Sequence, residues 1–231
     1  DIVKVERVIV FGGTKASKES ILAAAREREN KYMGIDAPLS LVYEEGYMVR
    51  HMGYGVDPHV QVPTILTKNG IDVTLIGKVA DIVFNDKGKS LINLVDTKTI
   101  LELTLEEMDN MKKGFMCINV QETDLSGHAQ NSERYSNILT IADEYIGKIL
   151  EKLEEDDIIV ITADHGNDPT IGHSQHTREN VPLLIYNKKL KDKYINIGLR
   201  NTMSDTAATI LEYFKIEEKL EHGKSYLSLL K

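Results

Sequence analysis

Apolar residues along this chain repeat with two periods, and the change from one to the other marks out the elements. Val3, Val5, Ile9 and Phe11 alternate with other residues as in a half-buried strand, and Gly12-Gly13 ends the run. Ser17 can cap a helix to about Glu29, with Ile21, Leu22 and Ala23-Ala24-Ala25 supplying apolar surface. Leu39 to Met52 contains two short β-like runs around Glu44-Glu45-Gly46, the pattern of a hairpin. Met52 to Pro63, with Gly53, Gly55, Pro58 and Pro63, reads as a hinge or linker, so residues 1–58 and 59–231 are expected to form separate units.

Beyond that boundary strands and helices alternate. Pro63 to Lys68 predicts a short helix stopped by Asn69-Gly70, and Val73 to Ile76 a strand ending in Gly77-Lys78. A helix is expected from Thr97 to Lys112, a buried strand from Phe115 to Val120, and a long helix from Ser132 to about Glu154. In that last helix Tyr135, Ile138, Leu139, Ala142, Tyr145, Ile146, Ile149, Leu150 and Leu153 keep the helical period. Ile158 to Ile161 and Leu183 to Tyr186 predict two more strands, and Ala207 to Phe214 a final helix capped by Ser204 or Asp205. The order predicts an α/β fold, a largely parallel sheet with helices on both faces. In such sheets ligands gather at the carboxyl ends of the strands. The strands ending at Lys78, at Asp124 through His128 and at Asp164-His165 would set three polar clusters along one rim.

Those clusters carry the chemistry. The strand Ile158 to Ile161 delivers Asp164 and His165, and a Gly/Asn/Asp/Pro loop returns a further imidazole at His176. After Phe115 to Val120, Asp124 and His128 stand four apart, and Gly127 would let the backbone turn so that both face one point. Carboxylate and imidazole ligands favour zinc, manganese, iron or related divalent ions, and with no cysteine beside them a thiolate site is excluded. Five candidate ligands exceed the need of one ion, which points to two metals a few ångströms apart, an arrangement suited to phosphoryl transfer. Lys78 at a strand end could bind phosphate or remain a solvated lysine. Arg178 could position phosphate or pair with Glu179. Arg50, His51 and His59 flank the hinge, Asp168 reads as a turn or supporting residue, and His173 and His222 have no context that singles them out.

The bulk numbers limit the partners. With 28 Lys plus Arg against 36 Asp plus Glu, the formal charge is -8, so no general affinity for nucleic acid or anionic membrane is expected. Phosphate would have to be held locally, by metal or by a few placed cations. No apolar run approaches the roughly 18–20 residues of a membrane helix. The single cysteine, Cys117, lies in an apolar strand and reads as a buried small hydrophobe, and a cytoplasmic setting is expected. The chain opens Asp1-Ile2-Val3 without methionine and soon enters a strand, as a sequence does that starts within something longer.

Thr162-Ala163-Asp164-His165-Gly166-Asn167-Asp168-Pro169-Thr170, followed by His176-Thr177-Arg178-Glu179 and the strand Val181 to Tyr186, closely resembles the C-terminal core of phosphopentomutases. These are metalloenzymes of the alkaline phosphatase superfamily. The eleven-residue step from His165 to His176 matches that family. The stretch Asn119 through His128 is more similar to the cofactor-independent phosphoglycerate mutases of the same superfamily, because phosphopentomutases usually space its Asp and His by five. The resemblance covers roughly residues 63–215. It implies one metal held by Asp124, His128 and His176 and another by Asp164 and His165, the pair being Mn2+, with Lys78 and Arg178 toward a sugar phosphate. It also implies that the second metal is completed by an aspartate, and phosphate carried by a Thr or Ser, on an N-terminal core segment without a match here. Residues 1–58 would then be the remnant of an α+β cap domain inserted into an alkaline phosphatase-like core that this chain leaves incomplete. The expected activity is phosphomutase; a phosphatase or phosphodiesterase of the same superfamily would share every residue named, and a non-catalytic metal-binding fragment is the alternative from another class.

Overall fold

The computed structural model describes residues 7–28, 32–53, 57–190 and 193–230. β1 (Arg7–Gly12) is followed by α1 (Lys18–Ala23), β2 (Ala25–Arg28), β3 (Tyr32–Ile35), α2 (Ala37–Ser40) and β4 (Met48–Gly53). After a 3-10 turn at Pro58–Val60 come α3 (Val62–Lys68), β5 (Asp72–Gly77), α4 (Lys78–Ile82), β6 (Lys89–Leu91) and α5 (Thr97–Asn110). The chain continues through β7 (Gly114–Asn119), α6 (Glu122–His128), α7 (Ser132–Lys152), β8 (Ile159–Thr162), β9 (Leu183–Tyr186) and α8 (Ser204–Tyr213).

The centre is a three-stranded parallel sheet in the order β6-β5-β7. Residues of β5 alternate between its faces. Val73 and Leu75 pack with Ile65 and Leu66 of α3, Leu211 of α8, and Phe115 and Cys117 of β7. On the other side Leu101 of α5 packs with Tyr145, Ile149 and Leu153 around α7. Burying β5 on both faces is what a parallel strand requires, and five of its six residues are buried. The α/β class, with a parallel sheet flanked by helices, is therefore the one the sequence predicts. β8 and β9 pair antiparallel with each other, and Ile159 and Tyr186 lie against the α5–α7 layer. The three-residue β6 has no alternating apolar pattern and went unpredicted. Among the described residues, no helix is long and apolar enough to cross a membrane.

Helix ends follow local chemistry. Ser17 and Ser20 form a reciprocal capping box on α1, Asp96 caps α5 through the Thr99 amide at 2.7 Å, and Asn131 caps α7. Asn69 ends α3, and Gly70 follows in the left-handed region at φ 73°. Three expectations are corrected. The helix from Ser17 stops at Ala23 instead of Glu29, because α1 buries none of its residues, and a short helix without a packed face gains too little to continue. Ala25–Arg28 pairs instead with Tyr32–Ile35. The hairpin expected within Leu39 to Met52 is absent: Asp36 and Pro38 start α2, Leu41 leaves it in the left-handed conformation at φ 59°, and β4 pairs with β1. Finally, α8 starts at Ser204 with Met203 in the cap position. Asp205 is inside the helix, taken up by Arg200 Nε and the Lys224 amide, both at 2.7 Å. The strand start at Val3, the end of the helix at Glu29, the linker residues 54–56 and the side chains of Arg50 and His51 lie outside the described residues.

Candidate metal centre

Three strand ends meet at one rim, as the alternation of elements predicts. β5 ends at Gly77, whose φ is 81° and whose missing Cβ would sit 2.7 Å from the Asn119 carbonyl oxygen at the end of β7. Only glycine tolerates both conditions. The chain therefore turns directly into α4 with Lys78 as its first residue. Across the rim, β7 leads through Gln121 into α6, and β8 ends just before Asp164.

Asp124 and His128 lie one turn apart on the same face of α6, so the helix itself brings them together. The expectation that Gly127 supplies a tight turn is corrected, since Gly127 is helical. Its use is space, because a Cβ there would run into the side chain of Asn167. Asn167 fills that space and donates from Nδ2 to Asp124 Oδ1 at 2.7 Å and to the Asp124 carbonyl at 3.0 Å.

The loop after β8 closes through an isolated bridge between Gly166 and Thr177, with the Thr177 amide on the Gly166 carbonyl at 2.9 Å. That bridge returns His176 to His165, whose rings stack with centroids 3.6 Å apart. Asp168 is a turn residue, accepting from the Thr170 amide and hydroxyl at 2.8 and 2.7 Å. Gln130 ties the loop to α6, donating to Gly127 and Asp168 carbonyls and accepting from the Gly172 amide.

Asp124 Oδ1 is the hub of what results. His128 Nε2 lies 3.3 Å away, His176 Nε2 3.4 Å and His165 Nε2 3.9 Å. His128 Nε2 and His176 Nε2 are 3.2 Å apart, so Asp124, His128 and His176 present a nearly equilateral triangle of ligand atoms. Ligands about 2.1 Å from a tetrahedral ion are about 3.4 Å from one another, so this triangle has the size of one face of a coordination shell. Asp124, His165 and His176 also converge closely enough for an ion. His165 Nε2 stands between two carboxylates, 3.9 Å from Asp124 and 3.6 Å from Asp164. The Asp164 side chain is 70% exposed, against 16% for Asp124, so the second cluster is the more open.

Neighbouring groups orient the candidate ligands. His128 Nδ1 donates to the Ser174 carbonyl at 2.7 Å, which turns Nε2 toward Asp124 and His176. Tyr43 stacks on the other side of the His128 ring, 5.0 Å between centroids, and its carbonyl accepts from Arg134 Nη1 at 2.7 Å. Arg134 Nη2 also holds Glu122 at 3.0 Å, and Glu122 in turn accepts the Thr97 amide. Burial raises the Asp124 pKa, but the hydrogen bond and charge of His128, the Asn167 amide and Lys78 outweigh it and hold the carboxyl below its ordinary range. Burial lowers the His128 pKa, yet Asp124 and the Ser174 carbonyl carry it above the ordinary imidazole value. For His176, burial and the neighbouring imidazoles prevail, and its pKa is lowered.

Lys78 Nζ lies 3.8 Å from Asp124 Oδ2 and borders a pocket of about 70 Å³ beside the hub. Arg178 is exposed and outside that lining, while Glu179 accepts the Thr177 hydroxyl at 2.6 Å. His59 sits in the 3-10 turn, His173 accepts the Gln175 amide, and His222 is exposed beside Glu221. The roles of Tyr43, Ser174 and Asn167 are not legible in the sequence, because only tertiary packing gives them partners.

Fold and site together define an α/β protein with a cluster of carboxylate and imidazole groups, able to hold a metal ion, at the carboxyl rim of its parallel sheet. The chain belongs to the Metalloenzyme superfamily, whose sequence model matches residues 36–218. Similar curated proteins include the phosphopentomutases of Clostridium novyi (strain NT), 38% identical over 174 residues, and Herpetosiphon aurantiacus, 41% identical over 187 residues. These matches cover 74% and 79% of this chain but 44% and 46% of those proteins, so the chain spans less than half the length of the curated relatives it matches. Among solved structures, the PH0037 protein of Pyrococcus horikoshii superposes with a TM-score of 0.47 at 18% identity, over 68% of this chain and 53% of that one, too slight a likeness to argue from.

Proposed function

We propose that this chain carries the metal-binding part of a phosphomutase that moves phosphate between positions of a sugar phosphate. The observation that carries the reading is the triangle of Asp124 Oδ1, His128 Nε2 and His176 Nε2, with edges of 3.2–3.4 Å, beside the Lys78 ammonium. In this reading the triangle holds one ion, and Asp164 with His165 contribute to a second, both manganese, a metal that accepts mixed carboxylate and imidazole ligands. Bound ions would supply charge stabilisation to a transferring phosphoryl group. Asn167 and the Ser174 carbonyl hold the ligands in place, and Lys78 offers its charge to the phosphate.

Two ligands are too few for the second ion, so residues beyond this sequence, an aspartate and a phosphate-carrying Thr or Ser, complete it in the proposal. Residues 1–58 are then the end of a cap and 59–231 core. The similar phosphopentomutases support a pentose phosphate as substrate. The unpaired Cys117 is in keeping with a reducing compartment, and the reading assigns the cytoplasm.

Titration of the chain with MnCl2 tests the centre: one tight site, lost in His176→Ala, and a weaker one. Two equally tight sites, or a tight site indifferent to His176, would overturn the assignment. The gene upstream of Asp1 tests the rest. If it encodes no strand followed by an Asp and a helix-opening Thr or Ser, the transfer route is refuted.

A further inference from the structure

The pocket beside the metal hub is lined by two carboxamides that no step so far uses. Gln121 is 3% exposed, and its Oε1 has no hydrogen-bond partner; the buried Oδ1 of Asn119, at the end of β7, has none either. Both residues border the same pocket of about 70 Å³ as Lys78 and Asp124. A carboxamide oxygen only accepts, and leaving one buried without a donor is costly, so such a group marks a place where something else donates.

The chemistry of the lining narrows the donor. Lys78 repels a cationic ligand, and the carboxylates of Asp124 and Asp164 disfavour an anion lodged among the amides themselves. Neutral hydroxyls satisfy both limits. The pocket, of about 70 Å³, has room for a portion of a small polyol.

We propose that Asn119 and Gln121 form a hydroxyl-reading subsite, which accepts hydrogen bonds from the sugar part of a phosphorylated polyol while its phosphate lies toward Lys78 and the metal centre. The inference rests on the phosphotransfer reading of this site and names the two residues that would read its substrate.

Calorimetry on the Mn2+-loaded chain tests it with D-ribose 5-phosphate, n-pentyl phosphate and inorganic phosphate as probes. The alkyl ester has the phosphate and five carbons but no hydroxyls. The protein should bind ribose 5-phosphate about tenfold more tightly than n-pentyl phosphate, the size expected of two hydrogen bonds. Gln121→Leu and Asn119→Leu should each weaken ribose 5-phosphate more than n-pentyl phosphate and narrow the preference to about threefold. Equal affinities in the unaltered protein, a comparison that needs no variant to fold, overturn the inference alone, as does a preference that survives both substitutions. If no phosphate compound binds, the phosphotransfer reading fails and takes the inference with it.

Discussion

Gly127→Ala sets two opposed effects against each other at the centre of the site. Gly127 lies in α6, where alanine is intrinsically favoured over glycine by up to about 1 kcal/mol. The added Cβ, however, would fall well inside contact distance of Cγ, Oδ1 and Nδ2 of Asn167, a short side chain only 8% exposed and unable to step aside. Asn167 must then give up its bonds to Asp124, one to the carboxylate at 2.7 Å and one to the carbonyl at 3.0 Å. One charge-assisted and one neutral hydrogen bond are together worth about 2–4 kcal/mol, so the clash outweighs propensity and the substitution should destabilise by about 1–3 kcal/mol. The same displacement frees the Asp124 carboxylate and should weaken Mn2+ binding by about 10–100-fold. A double-mutant cycle with Asn167→Ala, read by urea unfolding in the presence of chelator, isolates the cause. In the Asn167→Ala background the obstacle is gone, and Gly127→Ala should become neutral or stabilising. An equal effect of Gly127→Ala in both backgrounds would refute the reasoning, as would stabilisation in the unaltered protein.

Three further outcomes follow from other contacts. Tyr43→Ala removes the ring stacked on His128, an interaction of about 0.5–1.5 kcal/mol, and should weaken Mn2+ binding about 2–10-fold in calorimetry, with Tyr43→Phe retaining the affinity. Asp164→Ala should leave the tighter ion untouched and remove only the weaker one, since the Asp124, His128 and His176 triangle does not use it; loss of both ions would contradict this. Burial pushes the Cys117 thiol up to about 11, so native protein at pH 8 should react with a thiol reagent far more slowly than unfolded protein. Because the folded pKa is the raised one, the stabilisation linked to this proton is complete below the unfolded value near 9 and is lost as pH rises through 11. A Cys117→Ala variant should show less alkaline destabilisation in urea titrations between those limits.

Much of the candidate site was legible because its carboxylates and imidazoles stand at or near strand ends, and strand ends follow from apolar runs. Phe115 to Val120 and Ile158 to Ile161 predict two neighbouring rim positions, and Asp124, His128, Asp164 and His165 follow within a few residues of each run. The N-terminal segment was less legible. Helix propensity over Ser17 to Glu29 is real, but α1 buries no residue, and pairing of β2 with β3 prevailed. The hairpin expected within Leu39 to Met52 is local, yet the partner of β4 is β1, some 40 residues away, and no local pattern encodes a distant partner.

By itself the sequence determined the alternation of strands and helices, and hence the rim on which Lys78, Asp124 and His165 would meet. It determined the ligand chemistry too, since residue type limits what a carboxylate or an imidazole can hold. Only the tertiary structure decided the grouping. The bridge from Gly166 to Thr177 swings His176 onto His165, the space at Gly127 admits Asn167 to fix Asp124, and the Ser174 carbonyl sets the face of His128. Coordination depends on distances of a few tenths of an ångström between residues up to some fifty positions apart. Such distances are set by which groups exclude one another and which share a hydrogen bond, and spacing along the chain does not carry that information.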